Sequence, residues 1–177
     1  MIDVTYTFSA EGLDIHSELE AGNKLKFLPR FGLRMFLNRS FDKVSYYGYG
    51  PYESYIDKHR ADYLGNFEAL VDSMHEDYIK PQENSSHYGC RHVTITDGNV
   101  RITFRNKDGL SFNASEYTQE ELAAKKHNYE LERSGFTVFC ADAYMAGVGS
   151  NSCGPQLKEC YRVPLPKLTA DFHMTVI

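Results

Sequence analysis

The sequence contains no tryptophan, only four cysteines and six prolines in 177 residues, and no apolar run that approaches a membrane span. Each shortage excludes something. A bilayer-crossing helix needs roughly 20 consecutive apolar residues, so none is expected. Met1 to Ala10 lacks a basic segment followed by an apolar one, so it does not read as a signal peptide, and a cytoplasmic location is the expectation. Basic residues number 19 against 24 acidic ones, a net charge of −5, and they stand singly, as at Arg30, Arg34 and Arg39. Without a basic cluster, neither nucleic acid nor an anionic membrane surface is an expected partner. Cys90, Cys140, Cys153 and Cys160 show no CxxC spacing and no zinc-like neighbouring histidine. Their even count permits two disulfides, but a chain of this size does not need them. Cys140 ends the apolar run FTVFC and reads as a core thiol, so free thiols are the favoured reading. The seven histidines are dispersed, with no acidic partner placed to complete a metal site, so no structural metal is expected.

What is plentiful is aromatic: 13 Tyr and 11 Phe. Such rings suit a pleated, half-buried surface, and they also suit stacking on a sugar, although core packing is the commoner use. Period-two alternation begins at once, with Ile2, Val4, Tyr6 and Phe8 on one face and Asp3, Thr5 and Thr7 on the other. Leu13, Ile15 and Leu19 predict a second strand after a turn at Gly12, with an irregularity before Leu19. Further strands are predicted at 32–38, 43–49, 91–96, 101–105, 111–114, 136–144 and 173–177. Asp97-Gly98-Asn99 is a hairpin signal between two of them. Thr118-Gln119-Glu120-Glu121 has the form of a capping box and starts a helix of two or three turns through Lys126. Residues 66–74 read equally as strand or helix, and the polar stretch 81–88 as a long loop. With no repeat, low-complexity segment or linker, the expectation is a single mainly β domain over residues 1–177: an antiparallel β-sandwich with one short helix.

Five stretches carry a more specific signal. They are Leu28-Pro29-Arg30-Phe31-Gly32, the run from Tyr47-Gly48-Tyr49-Gly50-Pro51 to Asp57, and Pro81-Gln82-Glu83-Asn84 followed by Arg91. Phe112-Asn113-Ala114-Ser115-Glu116-Tyr117 leads into the helix, and a last stretch runs from Asp142 through Gly147-Val148-Gly149 to Pro155. In this order they resemble the last, C-terminal domain of large bacterial β-galactosidases of glycoside hydrolase family 2, the small-chain region. The resemblance implies part of a β-supersandwich similar to the fold of galactose mutarotases, set against a catalytic TIM barrel. The family's domain is longer, and the alignment puts Met1 near its middle, so the first portion of the supersandwich is expected to be missing and Met1 to be an introduced start.

Retaining glycoside hydrolysis needs two carboxyl groups about 5–5.5 Å apart. Glu53 with Asp57, and Glu68 with Asp72, are candidates by spacing alone. The resemblance instead places both catalytic glutamates in the barrel, so this chain is expected to be inactive alone, with Glu53 and Asp57 holding backbone amides. Tyr47, Tyr49 and Tyr55 read as core or interface rings in preference to a sugar-stacking wall, with Gly48 and Gly50 allowing close backbone approach. Arg91 is a candidate partner for Glu83. The loop Gly147–Pro155 is the best functional candidate, its tip presenting Asn151, Ser152 and Cys153. The resemblance implies that these three line the subsite for the leaving sugar. In the best-studied type of the family an aromatic residue stands where Cys153 stands here, so the stacking role is not carried over.

The expected function is thus a noncatalytic C-terminal domain of an enzyme that hydrolyses terminal β-D-galactosides such as lactose. Its partners are the barrel and the galactoside substrate. No cofactor is expected in this chain; the family's enzymes often use Mg and Na, bound elsewhere. A free-standing carbohydrate-binding module is the alternative, and a mutarotase-like enzyme, which needs a Glu base and a His acid on one sugar ring, ranks third. Open strand edges at a truncated sandwich invite self-association, so a homodimer is also expected.

Overall fold

A computed structural model describes residues 1–149 and 155–177. Its strands are β1 (Ile2–Ser9), β2 (Gly12–Glu20), β3 (Arg30–Asn38), β4 (Lys43–Gly50), β5 (Tyr63–Leu70), β6 (Ser86–Thr96), β7 (Arg101–Ser115), β8 (Phe136–Met145) and β9 (Lys167–Val176). All their pairings are antiparallel. One path runs β1-β2-β9-β7-β6-β4-β5, and a branch runs from β7 through β8 to β3. The architecture is mainly β, a sandwich made by one bent, branched sheet.

The branch point explains the shape. The first part of β7, Ile102 to Arg105, pairs with β9, while its last part, Ser111 to Ser115, pairs with β8. Between them Gly109 takes a positive φ of 87°, and the opposite strand β6 shifts register on both sides of Cys90. A bulge of this kind bends a strand and lets it change neighbours. The sequence predicts two short strands at 101–105 and 111–114; the structure joins them into one of 15 residues.

The core collects where these strands meet. Val93, Ile95, Phe104, Phe112, Phe139 and Phe172 are fully buried. Phe104 stacks on Phe139 at 5.6 Å, Phe139 on Phe112 at 6.2 Å, and Phe112 on the buried His87 at 5.0 Å. Along the last part of β7 the alternation is apolar against polar rather than buried against exposed. Phe112 and Ala114 occupy one face, Ser111, Asn113 and Ser115 the other, and all five are buried. The polar face forms part of the site described below.

Several sequence expectations need correction. The expected irregularity in β2 is absent: Ile15, Ser17 and Leu19 are all buried in regular register, and the break in the apolar pattern was a small serine at an inward position. Residues 66–74 are neither strand nor helix throughout, since β5 ends at Leu70 and a 3-10 turn follows over Val71–Met74. The stretch 81–88 is a loop only in part, because β6 begins at Ser86 and Asn84 to His87 are buried. The helix α1 spans only Gln119–Ala124. Thr118 Oγ1 accepts from the Glu121 amide at 3.0 Å, as a cap should, but Glu121 does not reach back. Its carboxylate accepts instead from the Glu132 amide at 2.8 Å and pairs with Lys125, the residue at which the helix ends. The hairpin at Asp97-Gly98-Asn99 is present, with Asp97 Oδ1 accepting from the amides of Asn99 and Val100.

The free edge at β1 differs from the core. On β1 the alternating face is exposed along its whole length, from Ile2 at 60% to Phe8 at 80%. Register places Ile2, Tyr6 and Phe8 opposite Leu19, Ile15 and Leu13 of β2, so this stripe continues the core-facing side of β2 beyond the layer that covers it. Among the described residues, no helix is long and apolar enough to cross a membrane.

Candidate functional site

The site grows from the end of β3. Arg30 opens that strand beside Asp142 of β8, and a register shift at Phe31–Gly32 brings the two side chains together. Gly32 is required there, since a Cβ would lie 2.5 Å from the Asp142 Cα. The Arg30 guanidinium donates to both carboxylate oxygens of Asp142, with Nε to Oδ1 at 3.0 Å, and also to Asn113 Oδ1 of β7. Its Nη1 reaches Glu83 Oε1 at 3.4 Å, and Asn113 Nδ2 donates to the same oxygen at 3.1 Å. Burial opposes the charge on Arg30, but the Asp142 carboxylate more than offsets this and holds the guanidinium firmly protonated. Burial pushes the Glu83 carboxyl above the ordinary range, with Arg30 pulling the other way.

Arg30 therefore takes the place the sequence assigns to Arg91. The Arg91 side chain instead lies over the Tyr47 ring at 5.8 Å. Arg30 and Asp142 stand 112 positions apart, and only the β3–β8 pairing makes them neighbours.

A second buried carboxylate lies nearby. Glu53 accepts from Lys58 Nζ at 2.5 Å, from the Ser85 amide at 3.0 Å, from Tyr55 OH at 3.3 Å, and from Tyr78 OH. Ser85 is the one non-glycine among the described residues with positive φ, 62°. The hydrogen bond that its amide donates to Glu53 holds a backbone conformation that L-residues disfavour. Burial lowers the proton affinity of Lys58, and the Glu53 carboxylate outweighs it, so the ammonium keeps its charge. Asp57 accepts from the amides of Val148 at 3.0 Å and Gly149 at 2.8 Å. The expectation that Glu53 and Asp57 hold backbone amides is met at both residues.

These groups surround a cleft of about 490 Å³ lined by Phe27, Pro29, Glu53, Tyr55, Lys58, Tyr78, Gln82, Glu83 and Met145 to Gly149. Four of the five singled-out stretches thus meet at one place. Asn151, Ser152 and Cys153 lie outside the described residues; of their loop, Gly147 to Gly149 form part of the cleft wall. Sequence reasoning missed Lys58, whose only signal was its place five residues after Glu53, and Tyr78, which stands 25 residues from Glu53 and carried no signal.

The tyrosines of β4 mostly pack within the protein. Tyr46 meets Phe112 at 5.0 Å and Phe67 at 5.4 Å, and Tyr49 stacks against Tyr88 at 6.0 Å. Only Tyr55 of this run lines the cleft, and it is buried behind Glu53. Gly48 is needed for close approach, as expected, because a Cβ there would lie 2.3 Å from Cys90 Sγ. Among the described residues Cys90, Cys140 and Cys160 are free thiols.

A family model described as beta galactosidase small chain matches residues 1–176. The chain belongs to the β-galactosidase small-chain family. Among curated relatives, it is 46% identical to a β-galactosidase of Actinobacillus pleuropneumoniae over 164 residues, 92% of this chain and 16% of the relative. A β-galactosidase of Staphylococcus xylosus is 37% identical over 175 residues, 98% of this chain and 18% of the relative. A third, from Streptococcus thermophilus, is 34% identical over 154 residues, or 85% and 15%. This small-chain family member therefore spans less than a fifth of the length of these relatives.

Proposed function

We propose that the chain is the noncatalytic, C-terminal part of a cytoplasmic β-galactosidase that hydrolyses terminal β-D-galactosides such as lactose. In this reading it packs on the catalytic TIM barrel, lends its cleft and the adjoining loop with Asn151, Ser152 and Cys153 to the substrate site, and brings no cofactor of its own. The observation that carries the proposal is the convergence of Pro29, Glu53, Gln82, Glu83 and Gly147–Gly149 on one cleft, in a chain matched throughout by the small-chain family.

The state of the carboxylates supports a noncatalytic role. A glycosidase nucleophile must be free to reach an anomeric carbon about 3–3.5 Å away. Glu53 is surrounded by four donors and Asp57 is occupied by two amides, so neither is free to move. Among the described residues no histidine lines the cleft, so it lacks the Glu–His pair of a mutarotase. The exposed stripe of β1 supports a covering partner, which is the rest of the sandwich in the whole enzyme and a second copy when the chain is alone.

The test is complementation. The Actinobacillus relative lacking its matching 164 residues is mixed with this chain and assayed on a chromogenic galactoside. Activity present only in the mixture is the expected result. Hydrolysis by the chain alone would overturn the proposal. Binding of lactose by the isolated chain, without complementation, would favour the free-standing binding module.

A further inference from the structure

We infer that Asp57 is a positioning residue, the lock that holds the Gly147–Gly149 wall of the cleft in the conformation in which it meets the sugar. The inference rests on the reading of the cleft as part of the galactoside site. It names a residue to which that reading gives no role in substrate binding.

Asp57 sits on a tight turn that is itself fixed. The amide of Tyr55 donates to the Lys58 carbonyl at 2.7 Å and the Lys58 amide returns a bond to the Tyr55 carbonyl at 3.0 Å. His59 Nδ1 bonds the Tyr55 carbonyl at 2.8 Å, and at the other end of the turn Lys58 Nζ is anchored on Glu53. Among the described residues, the wall leaves β8 with two backbone ties of its own. They are Ala146 to the Pro29 carbonyl at 2.8 Å and Gly147 to the Tyr161 carbonyl at 2.9 Å. Beyond them the two Asp57 carboxylate bonds, to the amides of Val148 and Gly149, take over. A carboxylate accepting two successive amides fixes both peptide planes, and such charge-assisted bonds are about twice as strong as neutral ones. Gly149 needs this most, since its φ of 64° is a conformation the chain leaves readily unless held.

Gly147 gives a second, independent sign of the lock. A Cβ on Gly147 would lie 2.5 Å from the Asp57 Cγ and within 2.7 Å of both its oxygens. Glycine is thus required at 147 for the carboxylate to seat. The wall is shaped around Asp57 from both sides, by amides that point at it and by a missing side chain that admits it.

The experiment compares Asp57→Asn, Asp57→Ala, Gly147→Ala and the double variant Asp57→Ala/Gly147→Ala. Amide hydrogen exchange at Val148 and Gly149 reads the lock directly, and the melting transition checks that each variant folds. Exchange at both amides is expected to rise about tenfold or more in every single variant. The double variant is expected to add little, because both substitutions remove the same contact. In the whole galactosidase containing this chain, KM for a disaccharide galactoside should rise by a larger factor than kcat falls, and by more than KM for an aryl galactoside. Unchanged exchange in the folded single variants would overturn the inference whatever the kinetics. Faster exchange with disaccharide and aryl galactosides affected equally would also overturn the positioning role. That outcome would locate the error in the reading of the cleft, since the lock itself would have been found.

Discussion

Arg30 is 18% exposed at its side chain and Asp142 2%, and each depends on the other to carry a charge inside the protein. Replacing Arg30 by Met strands a buried carboxylate and should cost about 3–5 kcal/mol, read as a lowered urea midpoint. Asp142→Leu on top of it should recover part of the loss, because the uncompensated charge is then gone. His87 depends on pH instead. It is stacked on Phe112 and edged by Tyr46, and its Nδ1 hydrogen goes to the Ser85 carbonyl, 3.2 Å away. Burial lowers its pKa from 6.5 to about 4. Between those values the unfolded chain binds the extra proton and the folded chain refuses it. This contribution is therefore intact above pH 6.5 and lost as pH falls through that window, by up to about 3 kcal/mol. Urea titrations from pH 7 to pH 4.5 should show the loss, and His87→Gln should flatten it. Little of this was legible in the sequence. Arg30 and Asp142 both fall in the motif stretches, but a pairing across 112 residues is written in strand register, and a sequence shows no register between distant strands.

At the scale of elements, legibility followed the alternation of apolar and polar residues. β1, β3, β4 and β8 were read to within about two residues at each end, a typical uncertainty of strand ends. The reading failed where the buried residues are polar. The start of β6 buries Ser86 and His87 and so shows no apolar stripe, whereas the last part of β7, expected at 111–114, alternates apolar with polar although both its faces are buried. Glycines marked the places where strands come close. Gly48 lies against Cys90, where β6 is bulged, with the Cys90 Cα 3.0 Å from where a Cβ would stand. Gly48→Ala should destabilise by about 1–3 kcal/mol, since backbone and a buried sulfur must both give way. Gly22→Ala is the comparison. Nothing lies within 4 Å of the added carbon, and the urea midpoint should stay level or rise slightly.

For the whole molecule the governing feature is the uncovered face of β1. Val4 is 42% and Tyr6 57% exposed on a strand paired along only one edge among the described residues. Such an edge is a template for another strand. The isolated chain should sediment as a dimer, and Val4→Lys with Tyr6→Lys should make it a monomer by placing charges on the stripe. A monomeric wild type would count against this. The alternation that creates the stripe was fully legible. Its lack of cover was not, because a sequence pattern states which face should be buried and leaves open what buries it.

The position of β9 has a consequence in time. β2 has β1 on one side, and its other neighbour is β9, where His16 lies opposite Asp171, 155 residues further along the chain. A ribosome adding about 5–20 residues per second needs on the order of ten seconds to cover that distance. Throughout that interval the β1–β2 hairpin lacks the neighbour that joins it to the other described strands, and it becomes part of their sheet only when synthesis reaches β9.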